Sequence, residues 1–159
     1  MNQVVVKQEK SGYQIVEAYK SLRTNLQFCG EDKKIIAITS CTPNEGKSSV
    51  SMQLGISLAE IGKRVILIDA DLRKSVLLGR TKTEKSVRGL AHFLTGQASL
   101  EDVICSTNVK NFYMIYSGPF PPNPAELLGG KNFRSLLNAL RKVYDYVIVD
   151  TPPLGSVID

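Results

Sequence analysis

The chain has 159 residues, 20 of them Lys or Arg and 15 Asp or Glu, which gives a formal net charge of +5. Hydrophobic residues make up 43% and charged residues 22%, values that are typical of one globular domain and exclude a wholly disordered chain. The chain has no apolar run as long as a transmembrane helix. Its three scattered cysteines argue for reduced thiols in a cytosol. The sequence lacks the basic stripe interleaved with aromatic residues that would indicate nucleic-acid binding.

The N-terminal part of the chain predicts one helix after an irregular segment. Residues 1–12 are expected to form a loose arm. Residues 15–28 carry apolar side chains at the spacing of one helical face, and these are Ile15, Tyr19, Leu22 and Leu26. The neighbouring polar face carries charged side chains three positions apart, at Glu17, Lys20 and Arg23.

Four short apolar runs predict strands that are buried on both faces, because the runs show no alternation with polar residues. These strands are residues 35–38, 64–68, 112–116 and 146–149. The helices predicted between them are residues 47–61, with Gly62 as C-cap, and residues 87–94, 100–105, 125–128 and 132–143. This order predicts a parallel sheet with helices on both faces, and such sheets bind ligands at the carboxyl ends of their strands.

A turn-rich segment at residues 40–49 (SCTPNEGKSS) lies between the first buried strand and the next helix. In this context, successive backbone N–H groups and the helix N-terminus form an anion-binding nest. In such a nest, Gly46 would let the backbone approach phosphates closely, Lys47 would reach the β- and γ-phosphates, and Ser48 would supply a hydroxyl to Mg²⁺. Cys41 occupies the position of the first glycine in the pattern GxxxxGK[ST], so an ordinary turn that contains Gly-Lys-Ser is the alternative.

Three aspartates end the predicted buried strands. Asp69 and Asp71 flank Ala70 after the second strand, and Asp150 ends the fourth. Positions i and i+2 of an extended chain face the same way, so both carboxylates of the pair are expected to face the crevice that holds Lys47. Carboxylates beside a phosphate site suit Mg²⁺, and one of them is able to accept a proton from an attacking hydroxyl. A polar strand end without a chemical role is the alternative.

With these elements together, the chain resembles the cytoplasmic kinase domain of the bacterial tyrosine kinases, which are P-loop proteins linked to capsular and exopolysaccharide synthesis. The resemblance rests on residues 17–28 (EAYKSLRTNLQF), 39–49 (TSCTPNEGKSS), 66–74 (ILIDADLRK), 117–128 (SGPFPPNPAELL) and 144–153 (YDYVIVDTPP). It implies a P-loop NTPase-like α/β fold, with a mainly parallel β-sheet flanked by helices on both faces, and ATP and Mg²⁺ as cofactors.

The resemblance also implies roles for individual residues. The catalytic residues are Lys47 and Asp69, and Asp69 matches the carboxylate that receives the tyrosine proton. The nucleotide-binding residues are Thr42, Pro43, Asn44, Glu45, Gly46, Lys47, Ser48 and Ser49. The Mg²⁺ ligands are Ser48, Asp71 and Asp150. The charged triplet Glu17, Lys20 and Arg23 matches a helical E-x-x-R-x-x-R element of ring-like self-association, with Lys20 in place of the first arginine. A solvated charge ladder on a helix is the alternative for this triplet.

A single domain is expected. Residues 1–34 form an N-terminal arm and self-association helix in this prediction, and residues 35–159 form a nucleotide-binding core. Family members continue with further strands and helices and with a tyrosine-rich tail. This chain has no tyrosine after Tyr146, so the C-terminal part of the core is expected to be missing from it.

The function implied by the resemblance is that of an Mg-ATP-dependent protein-tyrosine kinase, which autophosphorylates and regulates capsular or exopolysaccharide biosynthesis and export. Its expected partners are protein tyrosine substrates, further copies in a ring, and a membrane-bound polysaccharide co-polymerase whose cytoplasmic tail activates it. The expected location is the cytoplasm, with recruitment to the inner face of the membrane by that activator. One alternative is a non-catalytic nucleotide-binding scaffold of a polysaccharide export complex. The other is a partition-type P-loop ATPase, against which Thr42 counts, because that group has a signature lysine there.

Overall fold

The computed structural model describes residues 1–6, 12–39, 47–72, 81–82 and 87–152. The strands within these residues are β1 (Asn2–Val6), β2 (Ile35–Ile38), β3 (Val65–Asp69), β4 (Thr81–Lys82), β5 (Cys105–Thr107), β6 (Phe112–Ile115) and β7 (Tyr146–Asp150). The helices are α1 (Tyr13–Phe28), α2 (Lys47–Glu60), α3 (Leu90–Leu94), α4 (Leu100–Val103), α5 (Pro124–Leu128) and α6 (Lys131–Val143). None of these described helices is long and apolar enough to cross a lipid bilayer.

The described strands form one sheet with the order β2-β7-β3-β6-β5-β1-β4. Strand β7 pairs parallel with β2 on one side and with β3 on the other, and β3 also pairs parallel with β6. Strands β5 and β1 form a further parallel pair. β5 pairs antiparallel with β6, and β4 pairs antiparallel with β1. The sheet is therefore mixed, with mostly parallel pairs, and the predicted α/β fold class is confirmed.

A hydrophobic layer covers each face of the sheet. The side chains of β3 alternate between the two layers, because Val65 and Leu67 join one layer whereas Ile66 and Ile68 join the other. Helix α2 contributes to the first layer, and α3, α4 and α6 contribute to the second. Every residue of β3 and β7 is buried, which explains why the sequence shows continuous apolar runs there. The burial predicted for residues 35–38 is wrong, because β2 lies at the end of the described strand order and none of its residues is buried.

Helix α2 ends through a glycine, as predicted. Gly62 has a φ of 86°, its N–H donates to the carbonyl of Ala59 over 3.0 Å, and the N–H of Lys63 donates to the carbonyl of Leu58 over 3.2 Å. These two bonds form a Schellman motif, which requires the left-handed backbone that glycine adopts without strain. The chain thereby turns from α2 into β3.

The expected loose arm at residues 1–12 is wrong for its first half. Asn2–Val6 forms β1, which pairs with β5 on one side and with β4 on the other. Val4 and Val6 are 2% exposed and belong to the core, whereas Val5 between them is 50% exposed. This strand was not predicted, because its three consecutive valines show no alternation with polar residues and its partner strand begins only at Cys105. Residues 7–11 lie outside the described residues.

The helix predicted at residues 100–105 is also shorter than expected. Helix α4 ends at Val103, Ile104 is extended with φ −76° and ψ 126°, and Cys105 begins β5. The cysteine side chain is fully buried in the core. Strand β5 was not predicted from the sequence, because two of its three residues, Ser106 and Thr107, are polar.

Candidate functional site

The carboxyl ends of three strands lie side by side, because β7 pairs with β2 on one side and with β3 on the other. Asp150, the last residue of β7, is in register with Ile38 at the end of β2 and with Asp69 at the end of β3. The N–H of Ala70 donates to the carbonyl of Asp150 over 2.9 Å, which extends the pairing one residue past β3. The carboxylates of the two strands are therefore held at one level of the sheet.

Asp150 holds the beginning of α2 at this edge through both of its carboxylate oxygens. Oδ1 forms an ion pair with Nζ of Lys47, and Oδ2 accepts a hydrogen bond of 2.9 Å from the hydroxyl of Ser48. The side chains of Asp150 and Lys47 are only 1% and 8% exposed. A charge that is shielded from water in this way needs a partner, so each side chain supplies the counter-charge of the other.

Asp69 and Asp71 lie at the end of the neighbouring strand β3, and both are buried. The backbone N–H of Asp71 donates to Oδ1 of Asp69 over 3.2 Å, which helps to fix the orientation of the Asp69 carboxyl group. Within the described residues, the edge combines three buried carboxylates with the ammonium of Lys47. Such a concentration of negative charge attracts a cation.

Thr151 is a residue of this edge that the sequence reasoning did not single out. Its N–H and its hydroxyl both donate to the carbonyl of Ile38, over 3.0 and 2.9 Å. The hydroxyl of Thr39 in turn donates to the carbonyl of Pro152 over 3.4 Å. These bonds continue the pairing of β2 with β7 beyond Asp150. A threonine between a strand-ending aspartate and a proline was the available signal in the sequence.

The predicted nucleotide-binding residues fall into two groups. Lys47, Ser48 and Ser49 lie in the first turn of α2. Thr42, Pro43, Asn44, Glu45 and Gly46 lie outside the described residues. The structure thus brings Lys47, Ser48 and Asp150 into direct contact, and it places Asp69 beside Asp150 in the sheet.

The oxygen atoms at this edge fit a magnesium ion. The hydroxyl oxygen of Ser48 and Oδ2 of Asp150 are 2.9 Å apart, and Mg²⁺ prefers hard oxygen donors of this kind. Among the described residues, no group of three or more His, Cys, Asp or Glu side chains is arranged to hold a metal ion. A hydroxyl with neighbouring carboxylates suits an ion that completes its coordination with waters and phosphate oxygens.

The charged face of α1 is partly engaged within its own chain. Oε1 of Glu17 and Nζ of Lys20 form an exposed ion pair 3.3 Å apart. Nη1 of Arg23 donates to the carbonyl and to the hydroxyl of Ser57, over 3.0 and 3.2 Å, and lies 4.0 Å from Oε2 of Glu60. Arg23 therefore attaches α1 to the last turn of α2. The self-association role of the triplet stays a prediction.

Known proteins resemble this chain in sequence and in structure. A family model described as an AAA domain matches residues 33–159. Tyrosine-protein kinase CpsD of Streptococcus agalactiae is 46% identical over 143 residues, which cover 90% of this chain and 62% of that protein. The kinase domain of Escherichia coli tyrosine kinase ETK is 40% identical with a TM-score of 0.83, and the match covers 89% of this chain and 56% of that chain.

A weaker likeness extends to ATPases of cell division. The septum site-determining protein MinD from Pyrococcus horikoshii OT3, solved with Mg-ADP, is 28% identical with a TM-score of 0.63 over 76% of this chain and 49% of that chain.

The chain spans 62% of the length of the CpsD relative, so it matches a part of that kinase. Because the family model covers most of the chain and the kinases match nine tenths of it, the chain belongs to the AAA-domain family of P-loop proteins and, within it, to the bacterial tyrosine kinases.

Proposed function

We propose that this chain is the nucleotide-binding part of an Mg-ATP-dependent protein-tyrosine kinase, an ATP:protein-tyrosine phosphotransferase. The buried cluster of Lys47, Ser48 and Asp150, with Asp69 beside it in the sheet, is the observation that carries the proposal. The cluster offers a cation for phosphate and oxygen donors for Mg²⁺. Asp69 adds a carboxylate that is able to take a proton from a hydroxyl.

Lys47 is the proposed contact of the β- and γ-phosphates of ATP. Its ammonium is paired with Asp150 in the structure, so binding of a triphosphate requires Lys47 to exchange a carboxylate for phosphate oxygens. The exchange places a positive charge beside the phosphoryl group that is transferred, where it stabilises the negative charge of the transition state. Backbone N–H groups of residues 42–46 are proposed to complete the phosphate contacts.

Ser48, Asp71 and Asp150 are the residues proposed to hold Mg²⁺, whose charge offsets that of the triphosphate when it is bound. The hydroxyl of Ser48 already faces Oδ2 of Asp150. Once Lys47 turns to phosphate, Oδ1 of Asp150 loses its ion-pair partner and becomes available to a new cation. Asp150 thus has a proposed role both before and after the nucleotide binds.

Asp69 is proposed to orient the hydroxyl of the substrate tyrosine and to accept its proton. Asp69 is 1% exposed, and the backbone N–H of Asp71 donates to one of its carboxylate oxygens. A carboxylate whose orientation is fixed before the substrate arrives loses little freedom during the reaction.

The proposed setting is the biosynthesis and export of capsular polysaccharide or exopolysaccharide at the inner face of the cell membrane. The 46% identity to the kinase CpsD supports this setting. We propose that tyrosines of other proteins are substrates and that the cytoplasmic tail of a membrane-bound co-polymerase activates the kinase. We also propose that α1 mediates self-association into a ring, in which Glu17 and Lys20 face the neighbouring copy and Arg23 holds α1 in place.

Transfer of labelled phosphate from ATP to poly(Glu,Tyr) tests the proposed function. We expect Lys47→Ala to lower the rate by about 100-fold or more, because the change removes a positioned charge at the transferring phosphate. Asp69→Asn is expected to abolish transfer while nucleotide binding persists. Lys33→Ala is the matched control, because the Lys33 side chain is 66% exposed and contacts Asp32 before β2 begins.

Three outcomes would contradict the proposal. Equal transfer by the parent and by Lys47→Ala would place the chemistry elsewhere. Hydrolysis of ATP without transfer to tyrosine would favour the partition-type ATPase, the alternative that the likeness to MinD supports. Nucleotide binding without either reaction, also when the activating cytoplasmic tail is added, would favour the non-catalytic scaffold.

A further inference from the structure

The six tyrosines of the chain all lie in the part that the structure describes, and they differ widely in exposure. They are Tyr13, Tyr19, Tyr113, Tyr116, Tyr144 and Tyr146. Tyr116, Tyr144 and Tyr146 are 3%, 4% and 7% exposed. Tyr19 and Tyr113 are half-buried. Tyr13 is 80% exposed.

Contacts with neighbouring side chains hold two of the less exposed tyrosines in place. The rings of Tyr113 and Tyr144 meet edge to face, with centroids 5.4 Å apart. The guanidinium of Arg64 lies over both rings, 5.4 and 5.2 Å from their centroids. A ring in this cluster has to leave Arg64 and its partner ring before its hydroxyl can enter the active site of another molecule.

Tyr13 lies where the chain is able to present a side chain. It is the first residue of α1, and it follows Gly12 as N-cap, which has no side chain that could accept a hydrogen bond from the first turn. The first turn of α1 also contains no acidic residue that would interact favourably with the N-terminus of the helix. An end without these contacts opens more easily than a capped one, so Tyr13 can extend away from α1 at little cost.

The rest of α1 is attached to its own chain. Arg23 binds Ser57 in the last turn of α2, and Leu26 packs against the core. Tyr13 lies ten residues before Arg23, which is about 15 Å along a helix. The helix is therefore anchored near its end, whereas Tyr13 at its beginning is exposed and accessible to a second copy of the chain.

We propose that Tyr13 is a phosphoryl acceptor of this chain and that the active site of a second copy phosphorylates it. This proposal rests on the proposed kinase function. The Tyr13 hydroxyl oxygen forms a bond to the γ-phosphorus of ATP, and the bond from that phosphorus to the β,γ-bridging oxygen breaks. The leaving group is ADP, which keeps the electron pair of that bond. The phenolic proton passes to Asp69 of the phosphorylating copy and then to solvent.

The modification changes the charge at the beginning of α1. A phosphotyrosine adds a charge of about −1.5 to −2 at neutral pH. The first turn of α1 contains no acidic side chain, and a negative charge near a helix N-terminus is stabilising. Phosphorylation of Tyr13 therefore alters the helix that we propose for self-association.

Two distinguishable copies of the chain test the proposal. The acceptor is a ¹⁵N-labelled Lys47→Ala chain, which lacks the phosphate-binding lysine, and the donor is the unlabelled parent chain. Both are incubated with Mg-ATP, and peptide mass spectrometry locates phosphate on each copy. We expect phosphate on Tyr13 of the labelled copy, at least about 10-fold above any other tyrosine, because the other five are at least half-buried.

The substitution Tyr13→Phe removes the proposed acceptor hydroxyl and leaves the proposed active site unchanged. We expect it to remove most phosphate incorporation into the chain while transfer to poly(Glu,Tyr) continues at the rate of the parent. Tyr19→Phe, one of the half-buried positions on the same helix, is the matched control and is expected to leave incorporation unchanged. A thermal unfolding curve equal to that of the parent verifies that each variant is folded.

The outcomes distinguish failure of this proposal from failure of the kinase function. Transfer to poly(Glu,Tyr) without phosphate on Tyr13 would overturn the Tyr13 proposal alone. Phosphate on Tyr13 of the unlabelled copy only would overturn phosphorylation by a second copy. Absence of transfer to both acceptors, also when the activating cytoplasmic tail of the co-polymerase is added, would contradict the kinase function, and the Tyr13 proposal would be rejected together with it.

Discussion

Asp150 connects the two halves of the candidate site at the scale of single residues. Its carboxylate binds Lys47 and Ser48 at the beginning of α2, and its carbonyl accepts the N–H of Ala70 after β3. Lys47 depends on this carboxylate, because an ammonium that is 8% exposed is costly without a counter-charge. The pair therefore contributes to folding as well as to the proposed chemistry.

We expect Asp150→Asn to lower the free energy of unfolding by about 3 to 5 kcal/mol, the usual cost of leaving one partner of a buried ion pair alone. Urea unfolding measures the change. Asp32→Asn is the matched control, because the side chains of Lys33 and Asp32 are 66% and 78% exposed and such a pair contributes about 1 kcal/mol at most. Similar losses in the two variants would show that Lys47 does not need the charge of Asp150.

Cys105 and Cys29 should differ strongly in reactivity. Burial raises the pKa of the Cys105 thiol to about 11, whereas Cys29 is exposed after α1. Only the thiolate reacts, so at pH 8 we expect iodoacetamide to modify Cys29 about 100-fold faster or more, in a Cys41→Ser background read by mass spectrometry. The same pKa shift affects stability, because the unfolded chain loses the Cys105 proton at a lower pH than the folded protein does. The stability that Cys105 contributes is therefore complete at neutral pH and is lost as the pH rises toward 11. Equal rates in the folded protein would contradict the buried position; equal rates in urea are expected.

The alternating burial of β1 makes a prediction at the scale of elements. We expect Val6→Ala to lower the free energy of unfolding by about 1 to 3 kcal/mol, because it removes buried methyl groups from the core. Val5→Ala, at a half-exposed position of the same strand, is the matched control and should change stability by about 0.5 kcal/mol or less. Urea unfolding compares the two. Equally small effects would favour the loose arm that the sequence predicted.

Strands were predictable from the sequence where they are uninterrupted apolar runs, although β2, which was predicted to be buried on both faces, has no buried residue. Every residue of β3 and β7 is buried, so each strand appears as an uninterrupted apolar run. β1 and β5 were missed because one is a short valine run, the other is mostly polar, and their pairing joins distant parts of the chain. Local patterns carry no information about such distant partners.

The candidate site was predictable where it depends on strand ends. Lys47 and Asp150 meet because parallel strands align their carboxyl ends at one edge of the sheet. Thr151 was not predictable, since its bonds to Ile38 depend on the register of β7 against β2. The contact of Arg23 with Ser57 depends on how α1 lies against α2, which the charge spacing of α1 does not determine.

At the scale of the whole molecule, the order of strands in the sheet differs from their order in the chain. β7 is the last described strand, yet it lies between β2 and β3, and β2 pairs with no other described strand. Lys47 comes soon after β2, whereas its partner Asp150 ends β7. The two halves of the site thus belong to segments that are far apart in the sequence.

This arrangement sets a sequence of events during synthesis, when the N-terminal part of a chain is made first. The segment that contains β2 and Lys47 leaves the ribosome long before the carboxylate that neutralises the lysine and the strand that covers the edge of β2. Loop closure over such a separation is slow, because the chain loses conformational entropy before the contacts that offset this loss have formed. We therefore expect the candidate site and the centre of the sheet to form together, in one late step of folding.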